Sequence, residues 1–191
     1  PLIGELYAQG DRHKSSQYLQ NGVMFYTLLG FLVCGLQLAV IPLMYHMGQP
    51  VEVVDMAIPY YKLLAYSMPF IMLFFTFKQF LEGVGNTQVE MVVVILCNLM
   101  NVGLNWIFIY GHLGFEELGA TGAGPGTLGS RIAMPIMIIG YFYKKQKYRA
   151  YLQGFSPRNY SVKTIRTLLR MGLPISLQMF LEASAFVGTS I

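Results

Sequence analysis

The sequence predicts an all-α, polytopic transmembrane helix bundle, and three observations lead there. Hydrophobic residues make up 54% of the 191-residue chain and charged residues only 12%, about half the roughly 25% of an average globular domain. Apolar stretches recur that are each long enough, at about 1.5 Å per helical residue, to cross about 30 Å of hydrocarbon. The connections between them alternate in charge. With a mean hydropathy of +0.50, a soluble domain of this length is excluded.

Taken in order, residues 1–10 (PLIGELYAQG) read as the tail of a helix and GDRHKSSQ as a polar loop. The first complete span is expected at 22–45, with Gln37 as its strongest polar group and Pro42 kinking or ending it. HMGQPVEVVDMA follows as a loop with Glu52 and Asp55. The second span is expected at 60–81, with Pro69 in its middle and Lys62 and Lys78 near its ends, where long side chains snorkel to the headgroups. EGVGNTQVEM is a tight turn into a third span at 89–110, and a loop with Glu116 and Glu117 leads to a fourth at 122–143. The stretch from Lys144 to Arg170 is a long basic connection. Its second half places Val162, Ile165, Leu168 and Leu169 at helical spacing, as for a helix lying on the membrane surface. A last span starts near Met171. Pro1 is not an initiator and the last span stops at Ile191, so the chain reads as a piece of something longer; no secretory signal is present.

Orientation follows from charge. Of 13 Lys and Arg, eight lie between Lys144 and Arg170, and Arg12 and Lys14 lie in the first loop, whereas the loops at 46–57 and 111–121 contain none. This places 11–18, 82–88 and 144–170 in the cytoplasm. The same asymmetry accounts for the net charge of +4, so no nucleic-acid partner is implied. Cys34 and Cys97 sit in apolar runs as small hydrophobes. His13, His46 and His112 lie in or beside loops, far apart in sequence, and no metal site is expected.

Chemistry concentrates between Val89 and Arg131. Asn98, Asn101 and Asn105 share one helix face by their spacings of three and four. They either hydrogen-bond neighbouring helices, or Asn101 and Asn105 present two carbonyl oxygens to a cation or substrate. Arg131 and Glu182 fall near mid-depth of their spans. There Arg131 is expected to pair with an acid or line an aqueous cavity, and an unpaired Glu182 to carry a proton or cation. Gly122, Gly124, Gly126 and Gly129 offer a small-residue surface for close helix packing, and Pro125 is expected to weaken the helix locally. Asn98, Arg131 and Gln178 are assigned to a substrate cavity. A membrane-embedded enzyme would need a paired-acid, His-rich or Ser-centred cluster at membrane depth, and none appears.

FLEGVGNTQVEM, NVGLNWIFIYG and LGATGAGPGT resemble the multidrug and toxic compound extrusion (MATE) family of secondary transporters, and LLRMGLPISLQMFLEASAF is similar to that family's seventh helix. The resemblance implies most of the first lobe of a two-lobe, twelve-helix antiporter. Residues 1–143 would be the tail of helix 2 and helices 3–6, residues 144–170 the cytoplasmic interlobe connection, and residues 171–191 the start of helix 7. It implies a multi-pass protein of the cell (inner) membrane that exports small, often cationic, organic compounds. Its coupling ion would be sodium or a proton, with no other cofactor, and its partners the bilayer and the remaining helices of the full-length chain. Asn101, Asn105 and Thr127 match first-lobe positions for the coupling ion, and Glu182 matches a seventh-helix acid. Asn105 often corresponds to an aspartate in the family, and the family's first-helix aspartate would precede Pro1. Pro125 and Gly126 stand where the family usually has a larger apolar residue and Ala. The alternatives are a flippase for lipid-linked saccharides of related architecture and a non-transporting integral membrane protein.

Overall fold

The computed structural model describes residues 2–46, 48, 50–112, 114 and 117–188; Glu116 of the expected acidic loop, Pro1 and Ile191 lie outside them. Among the described residues eight α-helices follow one another: α1 (Leu2–Ala8), α2 (Arg12–Met44), α3 (Val51–Tyr66), α4 (Met68–Gly83), α5 (Gln88–Tyr110), α6 (Ala123–Lys144), α7 (Gln146–Gln153) and α8 (Val162–Gly188). Short 3-10 turns at Gly119–Gly122 and Pro157–Asn159 join α5 to α6 and α7 to α8. The all-helical bundle expected from the sequence is what the chain forms, and no strand occurs among the described residues. Arg12–Met44, Val51–Gly83 and Gln88–Tyr110 are long and apolar enough to cross a membrane. The fourth expected span, α6, is long enough at 22 residues, but its glycines, Thr127, Ser130 and Arg131 dilute its apolarity.

Of the polar stretch GDRHKSSQ, expected as loop, only Gly10 and Asp11 lie outside a helix; Arg12–Gln17 open α2. Asp11 caps α2: its Oδ1 accepts from Lys14 N at 3.0 Å, filling one of the orphan donors of the first turn. That hydrogen bond also holds the Asp11 carboxyl below the usual carboxylate range. With 33 residues, α2 is about 50 Å long, some 20 Å more than the hydrocarbon needs. Its first turns therefore project beyond the membrane. Ser15, Ser16, Gln20 and Asn21 are nevertheless buried there, because the segment between α7 and α8 lies against them. Gln20 Nε2 donates to Ser156 O at 2.8 Å, and Gln20 Oε1 accepts from Ser156 N at 2.9 Å. Asn21 Nδ2 donates to Asn159 O at 2.9 Å, and its Oδ1 accepts from Ser161 N at 3.0 Å. Ser16 Oγ donates to Tyr151 O.

The second expected span starts earlier than 60, at Val51, and is two helices that meet at Ser67. Pro69, the second residue of α4, has no N–H to return to the preceding turn, so the ladder breaks. Ser67 Oγ fills part of the gap by donating to Leu64 O at 2.6 Å. The break is gripped from the α2 side by Gly30, where a Cβ would lie 2.7 Å from Pro69 Cα and 3.2 Å from Met68 O. Since the neighbour is backbone, Gly30→Ala should force α2 and α4 apart. A loss of about 1–3 kcal/mol is expected, read as a lowered melting temperature of the full-length protein; Gly35→Ala, where a Cβ meets nothing, should leave it unchanged.

The remaining expectations for the helices divide. Pro42 lies two residues from the end of α2 and closes it. Pro125 does not weaken α6: it is the third residue of that helix, in the turn whose N–H groups have no helical partner anyway. The basic connection's second half and the last span are one helix, α8, so Val162, Ile165, Leu168 and Leu169 belong to the helix that carries Glu182 and not to a separate surface helix.

α6 is the hub of the bundle, packed on α3, α4, α5 and α7, while α2 packs on α4 from the other side. Phe74, Phe77, Phe80 and Leu81 of α4 bury against Ile138 and Phe142 of α6, Leu19 of α2, and Tyr148 and Tyr151 of α7. Edge-to-face pairs close this core, with Phe77–Phe142 and Phe80–Tyr151 centroids both 5.0 Å apart; such pairs contribute about 0.5–1.5 kcal/mol each. By contrast, Leu28, Phe31, Leu32, Leu36 and Leu43 of α2 and Ile95, Leu99, Val102 and Trp106 of α5 are exposed. Patches of this extent suit lipid or further helices, not water.

Candidate functional site

α5 and α6 approach closely because glycines line the contact. A Cβ on Gly122 would lie 2.6 Å from Phe108 O, one on Gly124 2.7 Å from Leu63 Cδ1, and one on Gly129 3.0 Å from Leu104 Cδ1. At Gly126 a Cβ would fall on Asn105 Oδ1, with Asn105 Cγ only 3.2 Å away. The glycine surface read from the sequence is thus a seat for α6 between α3 and α5.

Within this seat the polar groups form a chain of donors running one way. Asn105 Nδ2 donates to Asn101 Oδ1 at 3.2 Å, Asn101 Nδ2 to Ser130 Oγ at 3.3 Å, and Ser130 Oγ to Thr127 O at 2.9 Å. Thr127 Oγ1 donates to Ala123 O at 2.8 Å. At the head of the chain stands Asn105 Oδ1, buried and accepting no hydrogen bond. An unpaired buried acceptor costs about 1–3 kcal/mol. The protons of the chain point along it and away from this oxygen, so the open position suits a cation or a donor, not an anion.

The structure links Asn101 and Asn105 directly, and reaches Thr127 through Ser130 at its main-chain carbonyl, while the Thr127 hydroxyl bonds Ala123 O within α6. It adds Ser130, which the sequence signalled by lying three residues after Thr127 on the same helix face. Asn98 is exposed, at the edge of the apolar outer face of α5. Arg131 turns elsewhere: its Nη1 donates to Ser67 Oγ at 2.8 Å, tying α6 to the break between α3 and α4. No acid partner of Arg131 occurs among the described residues. Ser67, buried at the break, was the missed residue; its signal was a serine two positions before a mid-span proline.

Glu182 and Gln178 form a pair of their own. Gln178 Nε2 donates to Glu182 Oε1 at 2.8 Å, on an exposed face of α8. Among the described residues α8 packs on α2 and on no other helix, so the acid is not assembled with the asparagines here. No group of three or more metal-ligating side chains occurs among the described residues.

Comparison with known proteins agrees with this architecture. The chain is 32% identical over 180 residues to a probable multidrug resistance protein NorM of Photorhabdus laumondii, a match covering 94% of this chain and 39% of that protein. It is 26% identical to the multidrug resistance protein NorM of Photobacterium profundum, over 97% of this chain and 41% of the relative. The chain therefore spans about two fifths of the length of these relatives. Among solved structures, the inward-facing conformation of a multidrug resistance MATE family transporter of the MOP superfamily superposes with a TM-score of 0.77 at 25% identity, over 90% of this chain and 38% of that one. A MOP superfamily transporter from Pyrococcus furiosus, whose binding pocket is described as reversed in polarity, superposes with a TM-score of 0.79 at 26% identity, over 96% of this chain and 40% of that one. The model of the MatE family matches residues 1–107, more than half of the sequence, and the chain belongs to that family.

Proposed function

We propose that this chain forms most of the first lobe of a secondary antiporter of the inner membrane. The whole protein would export small, often cationic, organic compounds in exchange for sodium ions or protons, without catalysing a covalent reaction. The observation that carries the reading is the one-way donor chain that starts at Asn105, whose buried Oδ1 accepts no hydrogen bond, and runs from α5 to α6. Thr127 Oγ1 has spent its proton on Ala123 O and keeps its lone pairs. The amide oxygen of Asn105 and the hydroxyl oxygen of Thr127 are hard donors of the kind that sodium or a protonated group takes. Multidrug resistance relatives and transporter structures support the export reading.

In this reading a cation bound at Asn105 and Thr127 biases the lobe toward one of its two conformations by its differential affinity for them. Of the substrate-cavity candidates, Asn98 is exposed on α5 and Arg131 is bound to Ser67, so neither carries this reading; Glu182 with Gln178 serves as the acid of the second lobe, across the cavity that the remaining helices complete. The saccharide-lipid alternative would call for a cavity lined by several cations, and Arg131, the candidate from the sequence, is occupied with Ser67.

The test is efflux of a fluorescent organic cation from cells making the full-length protein, with the sodium and proton gradients collapsed separately. Efflux should stop when one of the two is removed and persist when the other is. Asn105→Ala should slow it at least tenfold at equal protein level, and Glu182→Gln should slow it as well. Efflux that continues with both gradients gone would refute exchange; normal efflux from Glu182→Gln would remove that acid from the mechanism.

A further inference from the structure

Beyond the transport site, a cleft of about 790 Å³ opens where α6 ends, α7 begins and α2 starts. Its walls include Arg12, Tyr143, Lys144, Lys147, Arg149 and Gln153. Four of these six are cations, and no carboxylate lines it. The acid next in sequence, Asp11, is already engaged by Lys14, whose Nζ lies 3.1 Å from its Oδ2. The positive field of the cleft is therefore uncompensated, and a volume within about 300–1,000 Å³ is that of a small-ligand site.

The cleft is a built feature, not a chance meeting of surface lysines. Burial of Tyr148 and Tyr151 against Phe142 and Phe80 decides which face of α7 turns outward. Lys147 Nζ is held 5.4 Å from the centre of the Tyr7 ring and 5.6 Å from that of Tyr148, a cation–π setting that fixes a mobile side chain. Tyr143 and Lys144 are the last two residues of α6, so the rim stands where that helix would leave the hydrocarbon. Exposed tyrosine and lysine at that level are headgroup-region residues.

We propose that this cleft binds the phosphodiester headgroup of an anionic phospholipid from the leaflet that the basic connection faces. Arg12, Lys144 and Arg149 contact the phosphate, Lys147 closes the floor, and Gln153 and the Tyr143 hydroxyl serve headgroup hydroxyls. A lipid is favoured over free phosphate because the rim coincides with the end of a spanning helix, where acyl chains can remain in the bilayer. The bound lipid would tie α2, α6 and α7 together next to the connection between α7 and α8.

The test uses the full-length protein reconstituted in phosphatidylcholine nanodiscs with or without phosphatidylglycerol, read by melting temperature and by lipid retained after delipidation. One variant removes three cleft cations (Arg12→Gln, Lys144→Gln, Arg149→Gln). A control removes three from α8 (Lys163→Gln, Arg166→Gln, Arg170→Gln), with the same change in net charge. Phosphatidylglycerol should raise the melting temperature of the wild type and the α8 control but not of the cleft variant, which should retain at least threefold less of it. Equal loss in both variants, loss in neither, or the same stabilisation from inorganic phosphate alone would overturn the proposal. Should the triple variant not fold, the exposed Arg149→Gln alone must still lower retention. These readouts are independent of efflux, so the lipid site and the transport reading stand or fall separately.

Discussion

Gly126→Ala is expected to reduce export at least tenfold in this chain, although the family it resembles usually has Ala there, because here Asn105 Oδ1 already occupies the place of the methyl. The added methyl would occupy the place of Asn105 Oδ1, so the amide must swing out, breaking its bond to Asn101 and unseating the head of the donor chain. The nearest atoms are the Asn105 side chain, with Asn105 N of the backbone at 3.3 Å behind it, so most of the cost falls on the site. Tenfold corresponds to about 1.4 kcal/mol, modest beside the loss of an oriented oxygen. A double-mutant cycle makes the argument specific. In an Asn105→Ala background the extra methyl has nothing to displace, and Gly126→Ala should cost little further. Additive losses would show that Gly126 acts by some route other than Asn105.

A large effect on stability is expected from Asn21→Ala. Asn21 is fully buried, and its amide serves Asn159 O and Ser161 N at once. Asn159 O keeps a second donor, Gln17 Nε2 at 3.2 Å, but Ser161 N is left without its acceptor. Ser161 N, part-buried, is the group stranded, and a loss of about 1–3 kcal/mol is expected. The full-length protein should melt at lower temperature, and limited proteolysis should cut between Gly154 and Ser161 before any other segment. Ser15→Ala is the comparison: its hydroxyl only returns to Asp11 O within its own helix, so melting and cleavage should barely change. Equal behaviour of the two variants would mean that the connection is held by something other than these amides.

The all-helical class, the order of the apolar spans and the polar spacing of α5 were legible in the sequence, because hydrocarbon length and helical spacing leave few alternatives. Several readings went astray, and two of them show the physical reason. GDRHKSSQ was taken as loop because polarity was equated with solvent. In the structure Ser16, Gln20 and Asn21 recur on one face of α2 and are polar because what they bury against is main chain. The span around Pro69 was taken as one helix. Its proline indeed breaks the ladder, but nothing in the local pattern shows that Ser67 is then capped by an arginine from 64 residues away. Asn101, Asn105 and Thr127 could be grouped in advance, whereas the direction of the hydrogen bonds, and hence the single open oxygen, depends on how closely Gly126 lets the helices meet. The placement of Glu182 depends on helices outside this chain's own contacts.

The amides and hydroxyl on the first turns of α2 hold Tyr151, Ser156, Asn159 and Ser161 through their carbonyls and N–H groups. Such a grip is blind to what the held residues carry beyond Cα. Drift at 156 can therefore proceed while the path of the polypeptide there stays the same, whereas 20 and 21 cannot drift and 159 and 161 are held further by their own side chains, Asn159 Nδ2 on Gly154 O and Ser161 Oγ under Thr164 N. Divergent relatives should accordingly keep Gln- or Asn-like residues on the holding side long after residue 156 has become unrecognisable.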